Sequence, residues 1–362
     1  MKKIVIVMSA IDYGGAQRFC LNFARRLEKL HYDYEVVFLR KSKSMELRNE
    51  FKKFNINFIE FNCKSVMRSL PKLIKYFIKN KPNYILCTID NVDFTTSLAK
   101  IFVPKSKLII RKANVIFDNQ INMITRMKLK FESLICYKLV ALTMEMKKDY
   151  LKYGFKEEKV VVINNMIDKE YIDSRLNEKY SDDIFKTKNK KFIIANARMV
   201  EEKRYDILIK SFVELQKKLN NVILLILGEG DLKERVMRMV PTELMDDVIF
   251  LGFKNNPYYY MHNSDLLVLS SDYEGFPNVI IEAFACGIPV VSTNCKTGPK
   301  EIISNGINGY VVPVHDYKKI SNKVYKMLTN DKLLKEMKYN AKMKSDKYDV
   351  ISISNQYIDL MK

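Results

Sequence analysis

Short apolar segments alternate along the chain with stretches long enough for one helix, and this alternation constrains the fold more than any other feature. Ile4 to Met8, Tyr84 to Thr88 and Val222 to Leu227 are nearly continuous apolar runs. Such runs are typical of strands buried on both faces of a parallel sheet. The pattern predicts a doubly wound α/β fold. It places further strands at residues 34–39, 57–61, 107–111, 138–142, 160–163, 192–195, 248–251, 265–270 and 309–313.

The length and composition fit a globular protein with about two domains. The chain has 362 residues, of which 48% are hydrophobic and 29% are charged, and this supplies full cores for about two domains. The run from Asp173 to Lys191 is rich in lysine and poor in apolar side chains. Such a run is typical of a domain boundary, so we expect the chain to divide there.

The cysteines and the apolar runs argue against two classes of protein. The six cysteines show no paired metal-ligand spacing and lie mostly in apolar segments, which predicts reduced core thiols in a cytosolic protein. No apolar run approaches the roughly 20 residues of a membrane-spanning helix. Lys2 and Lys3 followed by Ile4 to Ala10 superficially suggest a signal peptide, but so short an apolar stretch predicts a first strand instead.

Positive charge is concentrated in two segments. The net charge is +20, and residues 64–81 and 124–138 both combine lysine or arginine with apolar residues at helical spacing. Basic amphipathic helices bind anionic membrane surfaces, where each nearby cation contributes about 1 kcal/mol. A solvated helix face is the alternative. Nucleic acid is not expected as a partner, because no binding motif with aromatic stacking positions accompanies the charge.

The segment from Asp265 to Thr293 predicts a strand, a loop, a helix and a second strand. Gly275 permits a tight turn in which backbone can approach a ligand. Pro277 fits a first helical turn, so the helix is predicted to begin at Phe276 or Pro277 and to end at Ala285. The N terminus of such a helix presents N–H groups and a partial positive charge, which suit a phosphate.

Two carboxylates bracket this turn. Glu274 precedes the predicted helix and Glu282 lies within it, so that both can face one ligand. An anion-binding helix end with two carboxylates outlines a nucleotide-sugar site. The alternative is structural, because carboxylates are common at helix starts: Glu274 would cap the helix and Glu282 would lie on the surface.

Arg198 and Lys203 follow the strand predicted at residues 192–195. Two cations beside a helix start can clamp a diphosphate, with arginine as a bidentate fork and lysine as a point charge. Solvation is the ordinary fate of isolated cations in a chain that contains 62 of them.

The motif around the two carboxylates resembles a known family. Glu274 and Glu282 are separated by seven residues in the run EGFPNVIIEAFACGIPVVST, which is followed by Gly298 to Ile302. This run is similar to the Glu-x7-Glu motif of the retaining glycosyltransferases of family 4. The resemblance implies the GT-B fold, in which two Rossmann-like doubly wound domains face each other across a cleft. It implies domains at residues 1–168 and 191–340, a linker at 169–190, and a helix at 341–362 that returns to the first domain.

The resemblance also implies roles for individual residues. Glu274, Arg198 and Lys203 are expected to be catalytic, with Arg198 and Lys203 matching a Gly-Arg-x4-Lys pattern in which Ala197 replaces glycine. The expected donor-binding residues are Gly15, Arg198, Lys203, Gly228, Glu229, Gly252, Phe253, Lys254, Glu274, Gly275, Phe276, Pro277, Asn278, Val279 and Glu282. The expected acceptor-side residues are Gly14, Gln17 and Asn114.

Three further positions depart from the family pattern. Gln17 occupies the place of a usual glutamate, although Gly14 and Gly15 could also simply form a turn. Met166 replaces proline in the run Asn164 to Asp168, which resembles the crossing between the domains. The usual histidine is absent near Asn114, so one wall of the expected site differs from the family pattern.

The expected function is glycosyl transfer with retention, from a nucleotide diphosphate sugar, presumed UDP-linked, to a hydroxyl of a lipid-linked saccharide. The product would be a bacterial capsule, O-antigen or exopolysaccharide, and the protein would lie at the cytoplasmic face of the membrane. No metal or other cofactor is expected, because the chain has no Asp-x-Asp motif or histidine cluster. Two alternatives remain: a nucleotide-sugar epimerase of the same architecture, and a non-catalytic subunit of a transferase pair.

Overall fold

The computed structural model describes residues 2–11, 14–42, 44–88, 90–113, 121–176, 178, 183–187 and 189–362. The chain divides into two compact units. The first unit comprises Met1–Ile167 and Val350–Lys362, and the second comprises Asp168–Asp349. The division therefore falls just before the polar run in which the sequence places a boundary.

The first unit contains a parallel sheet with seven strands in the described residues, in the order β3-β2-β1-β4-β5-β6-β7. The strands are β1 (Ile4–Met8), β2 (Tyr34–Arg40), β3 (Phe58–Cys63), β4 (Tyr84–Thr88), β5 (Lys107–Lys112), β6 (Lys138–Ala141) and β7 (Val160–Val162). The helices are α1 (Gly15–Lys29), α2 (Met45–Lys53), α3 (Leu70–Asn80), α4 (Asp90–Lys100), α5 (Met123–Ile135), α6 (Met144–Lys152) and α15 (Val350–Asp359).

The second unit contains a parallel sheet with six strands in the part of the chain described, in the order β10-β9-β8-β11-β12-β13. Its strands are β8 (Lys191–Asn196), β9 (Val222–Leu227), β10 (Val248–Gly252), β11 (Leu266–Leu269), β12 (Val290–Thr293) and β13 (Gly309–Val312). Its helices are α7 (Lys169–Leu176), α8 (Tyr205–Gln216), α9 (Lys233–Arg238), α10 (Pro257–His262), α11 (Asn278–Ala285), α12 (Pro299–Ile302), α13 (Tyr317–Leu328) and α14 (Asp331–Ser345).

The strand order confirms the doubly wound architecture and locates the place where a ligand would bind. In the first unit the order reverses between β1 and β4, and in the second it reverses between β8 and β11. Ligands of open α/β sheets bind outside the carboxyl ends of the strands at such a reversal. In the second unit the loops after β8 and β11 flank this place, and they contain Lys203 and Glu274.

The core residues explain why these segments become strands. Every residue of β1, β4, β9, β11 and β12 is buried, whereas the edge strands β3 and β10 are mostly half-buried. Central strands have helices on both faces, so a continuous apolar run has apolar contacts on both sides.

The segment Val350–Lys362 packs into the first unit through aromatic contacts. The Tyr357 ring lies 5.1 Å from the Phe19 ring and 5.4 Å from the Phe23 ring, between centroids. The Val350 N–H donates to the Ile167 carbonyl at 2.8 Å. Tyr357 is fully buried, so α15 belongs to the core of this unit.

Several predicted boundaries differ from the structure. Residues 169–176, expected in a linker, form α7, which packs against α10 and α11 within the second unit. The helix α14 ends at Ser345, so the segment that belongs to the first unit begins at residue 350 rather than 341. The helix α11 begins at Asn278 because Pro277 has a non-helical ψ of 88° and is the N-cap.

The two basic segments are shorter helices than the sequence predicts. In residues 64–81 the helix is Leu70–Asn80, which follows a 3-10 turn at Met67–Ser69 and ends at Lys81 in a left-handed conformation. In residues 124–138 the helix is Met123–Ile135, and Lys138 begins strand β6. The hydrophobic spacing predicted both helices. It did not predict that Lys81 is left-handed or that Lys138 begins a strand, and these two features lie at the ends of the basic segments.

Candidate active site

The centre of the candidate site is an ion pair in the second unit between Lys203 and Glu274. The Lys203 Nζ lies 2.7 Å from the Glu274 Oε1, and the two side chains are only 16% and 11% exposed. Lys203 ends the loop that follows β8, and Glu274 lies in the loop that follows β11. The reversal of strand order therefore brings together two residues that are 71 positions apart in the sequence.

Hydroxyl groups fix the two loops around this ion pair. The Ser271 hydroxyl donates to the Glu274 Oε1 at 2.7 Å, so the same carboxylate oxygen accepts from a serine and from a lysine. The Ser270 hydroxyl donates to the Lys203 carbonyl at 2.8 Å. The Thr293 hydroxyl at the end of β12 donates to the Ser271 carbonyl at 2.6 Å.

The segment before α12 packs directly against the Glu274 loop. The Thr297 hydroxyl donates to the carbonyls of Glu274 and Gly275, the second at 3.1 Å. Thr297 is 2% exposed and has a φ of +62°. A positive φ is uncommon for a β-branched residue, and such strain persists only where surrounding contacts enforce it. Gly298 follows with a φ of +89° and approaches Pro277 closely.

The helix α11 points its N terminus into this loop. No side chain in the described part of the chain caps it, and its first turn contains no acidic residue. Asn278 and Val279 occupy this first turn and are half-buried, as is Glu282 one turn further along. An uncapped helix N terminus has free N–H donors and a partial positive charge, which favour an anion.

Arg198 is not brought onto the ion pair. Its side chain is 77% exposed, and its contact with a carboxylate is a 4.0 Å approach to Glu202. The structure therefore joins only two of the three residues expected to be catalytic. As a solvated side chain on the same loop as Lys203, Arg198 has rotamer freedom that Lys203 lacks.

The carboxyl ends of β9 and β10 and the loops that follow them contain five of the expected donor-binding residues. The Gly228 N–H donates to the Gly252 carbonyl at 2.9 Å, which fixes the two turns side by side. Position 228 requires glycine, because a Cβ there would lie 2.1 Å from the Ala197 carbonyl oxygen. Glu229 pairs with Lys233 at 2.9 Å, and the Phe253 side chain is 56% exposed.

Lys254, the last of these expected residues, contacts α10. Its Nζ lies 5.3 Å from the centre of the Tyr260 ring, a cation–π distance. Phe276 is buried and packs against Tyr348, with 6.1 Å between ring centroids. Phe276 is therefore a core residue that supports the Gly275 turn.

In the first unit, Gly14 and Gly15 open α1 at the carboxyl end of β1. Gly14 is the N-cap in an extended conformation, and the first turn of α1 contains no acidic residue. Gln17 turns back toward this loop, where its Nε2 donates to the Ala10 carbonyl at 3.5 Å. Asn114, the other residue expected on the acceptor side, lies outside the described residues.

Cys295, which lies near the ion pair, and Cys286 are both buried. Burial raises the pKa of Cys295 to about 12, and burial also raises the pKa of Cys286. Both thiols are therefore neutral at pH 7, whereas a nucleophilic cysteine reacts as the thiolate.

Two supporting residues were missed from the sequence. Ser271 and Thr297 contact Glu274, but a serine after a strand and a threonine before a glycine are too common to indicate a site.

In the first unit, Arg111 and Lys112 are buried at the end of β5, with the Lys112 Nζ at 3.0 Å from Asp93 and 2.8 Å from Glu132. Cations are rarely buried, so their positions could not be predicted.

Two family models match successive parts of the chain. Residues 13–171 match the model described as Glycosyltransferase Family 4, and residues 177–344 match the model described as Glycosyl transferases group 1. Together they extend across both units and include the Lys203–Glu274 pair. The chain belongs to glycosyltransferase family 4.

Relatives of this glycosyltransferase match its whole length. It is 29% identical to the Campylobacter jejuni N-acetylgalactosamine-N,N'-diacetylbacillosaminyl-diphospho-undecaprenol 4-alpha-N-acetylgalactosaminyltransferase, over 98% of each chain. It is 25% identical to the amylovoran biosynthesis glycosyltransferase AmsD of Erwinia amylovora over 100% of each chain.

Solved structures match the fold of this glycosyltransferase. A glycosyltransferase from Rickettsia africae ESF-5 has a TM-score of 0.84 at 20% identity, over 100% of this chain and 98% of that one. Anabaena Alr3699/HepE in complex with UDP has a TM-score of 0.83 at 18% identity, over 99% of each chain. These likenesses show the two-domain α/β fold, GT-B, that the sequence predicts.

Proposed function

We propose that this glycosyltransferase moves a hexose or N-acetylhexosamine, with retention, from a UDP-sugar to a hydroxyl of a lipid-linked saccharide during assembly of a bacterial surface glycan. The observation that carries the proposal is the Lys203–Glu274 pair at the reversal of strand order in the second unit. A UDP complex of a structure with the same fold supports the donor. The names of the Campylobacter and Erwinia relatives support the acceptor and the pathway class.

Lys203 and the N terminus of α11 would stabilise the negative charge that develops on the departing diphosphate. Preorganised donors and cations at the place where charge builds are usually the largest contribution to catalysis. Arg198 would join them when a diphosphate is bound, since its side chain is 77% exposed and, among the described residues, approaches a carboxylate only at 4.0 Å, on Glu202. No metal ion takes part in this proposal, because two cations and a helix N terminus supply the positive charge.

Glu274 would bind hydroxyls of the donor sugar and Glu282 would bind the ribose. Ionised carboxylates accept hydrogen bonds at both oxygens, which suits adjacent hydroxyls. In this proposal, retention would follow from attack by the acceptor hydroxyl on the face that the diphosphate leaves. The alpha linkage in the name of the Campylobacter relative is consistent with this outcome.

A donor panel tests the proposal. The protein is incubated with UDP-glucose, UDP-galactose and their N-acetyl counterparts, and UDP release is measured with and without a lipid-linked saccharide and with EDTA. We expect one donor to be preferred and EDTA to leave the rate unchanged. Lys203→Met should lower kcat by about 100- to 1,000-fold, the cost of removing one donor to a developing charge.

Lys217→Met is the matched control for the lysine variant. Lys217 is the C-cap of α8 in the same unit, is 65% exposed and pairs with Glu214 at 3.0 Å, so its loss should leave kcat unchanged. Epimerisation of the UDP-sugar without acceptor would instead identify an epimerase. Unchanged transfer in the Lys203→Met variant would contradict the assigned role of Lys203 and favour a non-catalytic subunit.

We further propose that the first unit binds an anionic membrane surface through α5. On this helix Met123, Ile124, Met127 and Leu134 are 64–78% exposed, beside the exposed cations Arg126 and Lys130. The helix α3 adds three exposed lysines and the exposed Ile78, and both helices pack against α4. In the described residues no helix is long and apolar enough to cross a membrane.

Liposome flotation tests this membrane proposal. The protein should float with liposomes that contain anionic phosphatidylglycerol and should float less as salt is raised, because surface charges are screened. Ile124→Glu combined with Met127→Glu should weaken binding to the liposomes by at least about tenfold. The variant buries less apolar area in the membrane and adds two negative charges, which the anionic lipids repel. The proposal would be contradicted if flotation did not depend on salt, or if the protein floated with neutral liposomes and not with anionic ones.

A further inference from the structure

Two hydrogen-bond donors contact the same oxygen of the Glu274 carboxylate. Its Oε1 accepts from Lys203 Nζ and from Ser271 Oγ, each at 2.7 Å. A glutamate side chain has several rotatable bonds, and two donors on one oxygen restrict them to a single arrangement. In the described part of the chain both donors contact Oε1, and Oε2 accepts no hydrogen bond from a side chain there.

The backbone of Glu274 is held by a second hydroxyl. Thr297 donates to the carbonyls of Glu274 and Gly275, and the Glu274 N–H approaches the Lys296 carbonyl at 3.4 Å. Thr297 keeps a φ of +62° although its side chain is β-branched. Backbone strain of this kind costs on the order of 1–3 kcal/mol and is found at ligand-binding and active sites.

Ser271 and Thr297 occupy separate elements. Ser271 follows β11 and is fully buried, whereas Thr297 lies between β12 and α12 and is 2% exposed. One hydroxyl contacts the carboxylate and the other contacts the main chain of the same residue. Two independent elements therefore determine where the Glu274 carboxylate lies.

We propose that Ser271 and Thr297 are positioning residues that hold Glu274 so that its Oε2 meets a hydroxyl of the donor sugar. The inference rests on the proposed function, in which Glu274 binds the donor sugar. Neither residue contacts the substrate. Their loss affects the sugar and not the nucleotide, because the nucleotide is bound by the cations and by the N terminus of α11.

The test compares Ser271→Ala and Thr297→Val with Thr297→Ser, which keeps the hydroxyl. Turnover of the preferred donor of the UDP-sugar panel is measured together with the Kd for UDP alone and the melting temperature. Ser271→Ala and Thr297→Val should lower kcat by about 10- to 100-fold, since a hydrogen bond to a charged group or its support is lost. In both variants the Kd for UDP should change by less than about twofold. Thr297→Ser should keep the wild-type turnover.

Ser211→Ala is the matched control for loss of a buried hydroxyl. Ser211 lies on α8 in the same unit, is 4% exposed and donates to the Leu208 carbonyl at 2.7 Å. It should lower the melting temperature about as much as Ser271→Ala does and leave kcat unchanged. Parallel losses of UDP binding, melting temperature and kcat in Ser271→Ala would show a purely structural role and overturn the inference.

Glu274→Gln separates this inference from the function on which it rests. If Glu274→Gln abolishes transfer while Ser271→Ala and Thr297→Val turn over donor at the wild-type rate, the proposed function stands and the positioning roles are wrong. If Glu274→Gln keeps full turnover, the proposed role of Glu274 itself fails. Should Thr297→Val not fold, Ser271→Ala alone decides, because it removes one buried oxygen without adding atoms.

Discussion

Gly298→Ala should destabilise the second unit through two separate effects that the structure allows to be measured apart. The first is backbone strain, because Gly298 has a φ of +89° with a ψ of −74°, and placing a Cβ on a residue with a positive φ costs about 1–2 kcal/mol. The second is a clash, because a Cβ at this position would lie 2.3 Å from Pro277 Cδ. Non-bonded carbons prefer about 3.5–4.0 Å, so the proline must move by at least about 1.2 Å.

The clash adds to the strain. Overpacking of a close-packed region costs typically about 1–3 kcal/mol, so Gly298→Ala should lower the free energy of unfolding by about 2–5 kcal/mol in total. In a unit of this size 1 kcal/mol corresponds to about 2–4 °C, so the melting temperature should fall by roughly 10 °C. Pro277 is the N-cap of α11, so the affinity for UDP should also fall.

Gly306→Ala is the control that carries the strain without the clash. Gly306 belongs to the same unit, has a φ of +82°, and has no atom of the described residues within 4 Å of the added Cβ. It should cost only about 1–2 kcal/mol and leave UDP binding unchanged. Urea unfolding and calorimetric UDP titration of both variants measure the difference. Equal destabilisation of the two variants would refute the close approach of Gly298 to Pro277.

Three further predictions concern stability and thiol reactivity. Lys112→Met should destabilise the first unit by about 3–5 kcal/mol in urea unfolding, since it leaves two buried carboxylates without their cation, and a loss below 1 kcal/mol would contradict this. The Arg204 hydrogen bond lowers the pKa of Asp206, so its contribution is present above pH 4 and is lost as pH falls. Asp206→Asn should therefore cost about 0.5–1 kcal/mol at pH 7 and progressively less as the pH falls below about 4 in the same unfolding assay, with solvent screening limiting the effect; a cost that does not depend on pH would contradict this. Cys63 is half-buried and the other five cysteines are buried, so Ellman's reagent should titrate one thiol rapidly in the native protein and six in urea, and rapid reaction of more than one native thiol would count against the burial described.

The sequence predicted central strands better than it predicted the ends of peripheral elements. The bounds of β1, β4 and β9 agree with the predicted Ile4 to Met8, Tyr84 to Thr88 and Val222 to Leu227. These strands lie in sheet interiors, where burial on both faces leaves a continuous apolar run. The edge strand β3 is half-buried and was predicted one residue early at its start and two residues short at its end.

The candidate site was predicted as a set of residue types but not as an arrangement. Lys203 and Glu274 were both expected at the site, yet only the fold shows that they pair with each other. Arg198 was expected beside them and is largely solvated instead. The contacts of Ser271 and Thr297 depend on how three loops pack, and local sequence carries no signal for packing of that kind.

The first unit contains two segments that are far apart in the sequence. Its core includes Tyr357 against Phe19 and Phe23, residues that more than 330 positions of chain separate, whereas the second unit is one continuous stretch. Closing so long a loop costs entropy before any contact forms. On a nascent chain the faces of Phe19 and Phe23 that pack on Tyr357 therefore stay uncovered until translation has passed Val350, whereas the second unit, Asp168–Asp349, needs no later residue. In that interval the first unit exposes apolar surface that can aggregate or bind chaperones.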